Sequence, residues 1–149
     1  MSPDERYRSK KLSDQLLNEL FDRLDAADAA ASKRNRRKSD RLPYRKRDLQ
    51  LHITHPGGGI IDCQVATRNL SSTGVSFMFW NYLHAGTVCT IHLKRHLSGI
   101  DAIEGSVVWC RHVTGPHHLV GLRFKNKIFQ KLFIDPNLRE KLEGHRSIY

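Results

Sequence analysis

No apolar run in the 149 residues approaches the roughly 18–20 positions a helix needs to cross a bilayer. The opening Met1-Ser2-Pro3-Asp4-Glu5-Arg6 lacks the basic-then-apolar pattern of a secretion signal. Both absences lead us to expect a soluble, cytoplasmic protein without a membrane span. Cysteine is scarce: Cys63, Cys89 and Cys110 are odd in number and none forms a C-x-x-C. Each falls where a strand is expected, so they read as buried apolar thiols rather than a disulfide or a metal set. The nine histidines are scattered, only His117-His118 being adjacent in a turn, and no H-x-x-x-H or Cys/His cluster supports zinc. Paired carboxylates, a Ser/His/Asp arrangement and a phosphate-cradling glycine loop are also missing. Gly57–Gly59 follows Pro56 in a hairpin turn, not at a strand-to-helix junction. We therefore expect no enzyme, no cofactor and no metal.

What is present in excess is positive charge, and it is concentrated. The formal net charge is +10. Residues 1–30 hold five Lys/Arg against seven Asp/Glu, a net of −2. Residues 33–47 hold nine basic residues against Asp40 alone, a net of +8, and residues 48–149 add eleven against seven, the remaining +4. A block of this kind reads as a solvated arm or a polyanion-binding patch.

Three regions follow from the hydrophobic pattern. In residues 1–31, Leu12, Leu16, Leu17, Leu20, Phe21 and Leu24 recur at three- and four-residue intervals, predicting an amphipathic helix from about Lys11 to Ala31. Its stripe faces either its own domain or a partner. Residues 32–44 form a basic linker with no apolar residue before Leu42, and Pro43 disfavours helix just ahead of it. Residues 45–149 alternate with period two. Strands are predicted at 48–54, 60–68, 75–79, 87–95, 100–112 and 118–124, with Trp109 in phase with inward Ile103, Gly105 and Val107. Short C-terminal helical turns are expected from Ile128 to Leu142, interrupted near Pro136. The fold class is mainly β: a six-stranded antiparallel barrel or sandwich with an N-terminal helix and a short C-terminal helical segment.

Two stretches carry chemistry. Arg36-Arg37-Lys38-Ser39-Asp40-Arg41 offers planar, permanently charged forks that match phosphate oxygens in pairs and stack on a purine face. Asn69-Leu70-Ser71-Ser72-Thr73-Gly74 offers short hydrogen-bonding side chains and a glycine that allows positive φ or close approach where a strand begins. Together they point to a planar, polyanionic ligand. In order and separation, Arg37-x-x-x-Arg41 and Asn69-x-Ser71-x-x-Gly74 resemble the R-x-x-x-R and [D/N]-x-S-x-x-G signatures of the PilZ domain family. The likeness extends to Glu104-Gly105-Ser106-Val107-Val108-Trp109 and Val120-Gly121-Leu122-Arg123-Phe124.

That resemblance implies a small PilZ-like β-barrel that binds the bacterial second messenger cyclic di-GMP without catalysis. It implies that Arg37 and Arg41, assisted by Arg36, clamp phosphates and stack on guanines. Asn69 and Ser71 would meet a guanine edge, with Gly74 letting the chain turn beneath it. Asn69 stands where many members carry Asp, which removes a charge that favours guanine N–H donors. Trp109 and Arg111 are further candidates on a late strand. The expected function is a receptor that couples ligand binding at the arginine linker and barrel surface to a change in partner interaction, an output that members of the family use in motility or biofilm regulation. Its partners would be cyclic di-GMP and, through the N-terminal helix, a protein or a second copy. One alternative is a nucleic-acid-binding protein using the basic arm, disfavoured because the arm lacks interleaved aromatics. Another is a PilZ-like adaptor without ligand.

Overall fold

The computed structural model describes residues 12–32 and 41–137. Two compact units divide the chain, Met1–Asp40 and Arg41–Tyr149. The described part of the first is helix α1, Asp14–Ser32. Ser13 precedes it, and its hydroxyl accepts the Leu16 N–H at 3.2 Å, satisfying one of the donors left over in the first turn. The predicted stripe narrows to Leu17, Leu20 and Phe21, whose side chains are buried, while Leu16 is 40% exposed.

The second unit is a closed antiparallel barrel. Its strands are β1 (Leu42–Pro43), β2 (Leu49–Thr54), β3 (Ile60–Leu70), β4 (Gly74–Phe79), β5 (Val88–Lys94), β6 (Ile100–Thr114) and β7 (His117–Phe124). The order β3-β2-β5-β6-β7-β4 closes into a ring through an added β3–β4 pairing. Closure removes the exposed edges that an open sheet would leave. The predicted barrel of six strands with a short C-terminal helical turn is the observed one, the turn being a 3₁₀ segment at Gln130–Leu132. Leu138 and Leu142 lie outside the described residues.

Period-two alternation produces the core. Leu49, Leu51 and Ile53 of β2 meet Cys89, Ile91 and Leu93 of β5, all within 1% of full burial. Val65, Leu70, Val75, Phe77, Val107, Val120 and Leu122 complete the interior, and Phe133 and Ile134 close it after β7. Each such side chain contributes roughly 1.5–3 kcal/mol on burial. Cys89 is buried and Cys63 and Cys110 half-buried, all as free thiols. Burial pushes Cys63 up to about 12, with the nearby Cys89 and Asp62 adding to the effect. Burial alone pushes Cys89 up to about 11.

Two departures from the sequence reading matter. The linker expected to run to Tyr44 is already structured from Leu42: β1 pairs with the end of β3, Leu42 opposite Leu70 and Pro43 opposite Asn69. A two-residue strand containing proline has too few positions to show a period. The second departure is in β6, where one extra residue enters between Val107 and Trp109. The bulge reverses the phase, so Cys110 packs against the core and Trp109 turns to the outer face.

Candidate functional site

The entry to the barrel is held tightly. After Arg41, the chain follows β3 in antiparallel sense: Tyr44 N–H donates to the Arg68 carbonyl at 2.8 Å, and Thr67 N–H to the Lys46 carbonyl at 2.9 Å. The Thr67 hydroxyl bonds the Tyr44 carbonyl and accepts the Lys46 N–H at 3.1 Å. Buried Tyr44 donates its phenol to the Lys94 carbonyl at 2.7 Å, and burial pushes its pKa up to about 12. Exposed Arg41 therefore leaves from a fixed point. Extending the Leu42–Leu70 register by one residue sets it across from Ser71. The structure thus brings Arg41 and the Asn69–Gly74 stretch to one end of β3. Arg36 and Arg37 lie outside the described residues.

The turn after β3 is clamped on all sides. Buried Ser71 accepts the N–H groups of Thr73 (3.2 Å) and Gly74 (3.1 Å) on its hydroxyl, and its own N–H donates to the Gly74 carbonyl at 2.9 Å. Three further carbonyls of the turn are taken by the end of β7 and the chain that follows it. Phe124 N–H reaches Thr73 at 2.8 Å, Ile128 N–H reaches Ser72 at 2.9 Å, and the Gln130 side-chain amide reaches Leu70 at 2.6 Å. Gly74 is required for close approach rather than for positive φ: a Cβ there would lie 2.5 Å from the Leu122 carbonyl oxygen.

This geometry divides the two polar side chains of the motif. Ser71 spends its hydroxyl within the turn. Asn69 uses its backbone N–H on the Ser76 hydroxyl at 3.2 Å, while its half-buried carboxamide has no hydrogen-bond partner among the described residues. An amide in that state presents an acceptor and two donors to a ligand edge.

Register continues the row across the outer wall. Ser76 pairs with Gly121, and Gly121 with Trp109. A Cβ at Gly121 would collide with the Trp109 indole, so the bare backbone serves as the shelf on which that ring lies. The Arg111 guanidinium carbon stands 4.9 Å from the centre of the same ring, a cation–π arrangement. Asn69, Ser76, Gly121 and Trp109 thus form one lateral line, with Arg41 at one end and Arg111 near the other. Gly121 entered the sequence reading only within the Val120–Phe124 likeness, and neither Ser76 nor Gln130 stood out. The pairing of Trp109 with Gly121 across a bulge leaves no signal at fixed spacing. Among the described residues no group of three or more His, Cys, Asp or Glu converges as a metal set, and no helix is long and apolar enough to cross a membrane.

A family model described as the PilZ domain matches residues 35–133. No curated protein matches the chain. Among solved structures, the chain is similar to the Bacillus subtilis inhibitor of motility MotI/DgrA, with a TM-score of 0.52 and 13% identity over 75% of this chain and 54% of that one. It is also similar to a K. pneumonia MrkH–c-di-GMP complex (TM-score 0.47, 15% identity, 76% of this chain and 52% of that one). A third is the PilZ domain of YcgR from Escherichia coli with c-di-GMP (TM-score 0.46, 13% identity, 73% and 87%). The chain spans about half the length of the MotI and MrkH chains.

Proposed function

This chain belongs to the PilZ domain family, and on that premise we propose that it is a cyclic di-GMP receptor. The observation that carries the reading is the β1–β3 register, Leu42 opposite Leu70 and Pro43 opposite Asn69. It fixes the exit of the arginine segment beside an asparagine whose carboxamide is uncommitted. Arg37 and Arg41, with Arg36, bind phosphate oxygens and stack on guanine from the linker side. Asn69 meets a guanine edge from the barrel side, Ser71 and Gly74 hold the turn that aims it, and Trp109 with Arg111 offers a second stacking surface. Charge-assisted hydrogen bonds of the arginine type contribute roughly 1.5–3 kcal/mol each. Two or three of them, less the ordering of the linker, support micromolar or tighter binding, a Kd of ~1 μM being about −8 kcal/mol.

Binding acts by coupling. Residues 33–47 carry a net +8, and drawing their arginines onto a ligand with two phosphates offsets part of the mutual repulsion. The closed arrangement differs from the open one in what the N-terminal region offers a protein partner or a second copy. The ligand shifts that balance only by its difference in affinity for the two. Support comes from the family match, the two motifs and the register.

Calorimetry of cyclic di-GMP against the wild type, Arg37→Ala and Asn69→Ala tests the reading. We expect at least about tenfold weaker binding for Arg37→Ala, from the loss of one charge-assisted contact, and a severalfold loss for Asn69→Ala. Equal affinities in all three, or no binding to the wild type, removes it.

A further inference from the structure

The segment after β7 has two sides. One is committed inward: Ile128 N–H and the Gln130 amide bond the turn carbonyls of Ser72 and Leu70. Between those two anchors sits Phe129, 81% exposed. Leu132, three residues on in the 3₁₀ turn, is 44% exposed, and its carbonyl accepts the His96 N–H at 2.8 Å. That bond brings in the β5–β6 turn, where Leu97 is 91% exposed. Three large apolar side chains thus stand out from a backbone pinned at Ser72, Leu70 and His96. Exposed apolar groups gathered on a rigid support mark an interaction surface. The pinning also lowers the ordering cost that binding would otherwise carry.

Charge says what kind of partner fits. Asp101 pairs with Arg95 at 2.8 Å and Glu104 with Lys125 at 3.5 Å, while Asp135 stands 3.9 Å from the His96 ring. Lys127 and Lys131, flanking Phe129, are exposed and have no ion pair among the described residues. We infer that Leu97, Phe129 and Leu132, rimmed by Lys127 and Lys131, dock an acidic amphipathic segment of a partner protein. The surface lies on the segment behind the motif turn and takes a different class of ligand from the nucleotide, so it stands without the receptor reading. An anionic membrane would be a different occupant, and the vesicle arm of the test separates it.

The test is fluorescence anisotropy on the full chain with a labelled amphipathic helical peptide bearing a leucine face and a glutamate face. A counterpart with lysine in place of glutamate serves as the comparison. The acidic peptide should bind, and Phe129→Ser/Leu132→Ser should weaken it by about tenfold or more, as for loss of a central anchor. Lys127→Glu/Lys131→Glu, at exposed positions that leave the core untouched, should reverse the preference between the two peptides. This arm decides the matter even if the serine variant fails to fold. Equal binding of both peptides, or no effect of charge reversal, overturns the inference. So does binding to anionic vesicles that the same charge reversal abolishes, or self-association in sedimentation that it abolishes, since each names a different occupant.

Discussion

The β2–β5 wall and the β3–β4–β7–β6 wall of the barrel are both antiparallel, yet they are built differently. Along β2 and β5 the pairing runs unbroken from Leu51 opposite Ile91 to Thr54 opposite Val88, and every second side chain is core. Along the other wall the register slips between Thr67 and Leu70, between Val107 and Trp109, and between His112 and Thr114. Three glycines there, Gly74, Gly105 and Gly121, stand where any Cβ would collide. The regular wall stores stability. The irregular wall gives up ladder regularity to aim side chains outward, and the line from Asn69 to Trp109 lies there. Bulges that re-aim a side chain commonly border binding sites.

Three substitutions separate these roles. Leu51→Ala, at a fully buried position of the regular wall, should cost about 2–5 kcal/mol of stability by cavity formation while leaving the cyclic di-GMP affinity of the folded protein unchanged. Gly74→Ala should lose both. Its Cβ meets backbone, which cannot move aside cheaply, so roughly 1–3 kcal/mol is expected, together with weaker ligand binding as the turn shifts. Gly121→Ala should weaken ligand binding with a stability cost within about 1 kcal/mol, because a side chain rather than backbone gives way. Urea unfolding and calorimetry on each variant check all three. A Gly121→Ala variant that binds like wild type would show that the Trp109 shelf has no part in the site.

A smaller effect concerns the thiols. Cys63 and Cys89 flank the regular wall with pKa values pushed up to about 12 and about 11 by burial. Thiolate is the reactive form. At pH 8 both should therefore modify more slowly in the native chain than in the urea-unfolded one, by roughly tenfold to a hundredfold after allowing for the higher nucleophilicity of a more basic thiolate. Mass spectrometry of timed alkylation reads this site by site, and comparable native and unfolded rates would mean that this wall opens readily.

The same contrast explains what the sequence discloses. Leu49, Leu51 and Ile53, or Cys89, Ile91 and Leu93, are legible because a straight strand writes its inward face at every second position. Asn69, Ser71 and Gly74 are legible as turn chemistry, although the sequence does not say that Ser71 faces into the turn while the Asn69 carboxamide stays uncommitted. Period-two alternation puts Trp109 in phase with the core although it is also a ligand candidate, because one inserted residue inverts the phase without changing any residue type. Leu42–Pro43 is too short to carry a period. Gln130 and Gly121 act through partners 60 and 12 positions away, a separation that only the fold supplies.

Ligand should meet the irregular wall and spare the regular one. Nitrogen–proton correlation NMR during a cyclic di-GMP titration reads this directly. The Trp109 indole and the Asn69, Gly74, Ser76 and Gly121 amides should shift together and saturate, with the Leu51, Ile53 and Ile91 amides still. Shifts centred on Leu51, Ile53 and Ile91, or no shift at any of these positions at saturating ligand, would contradict it.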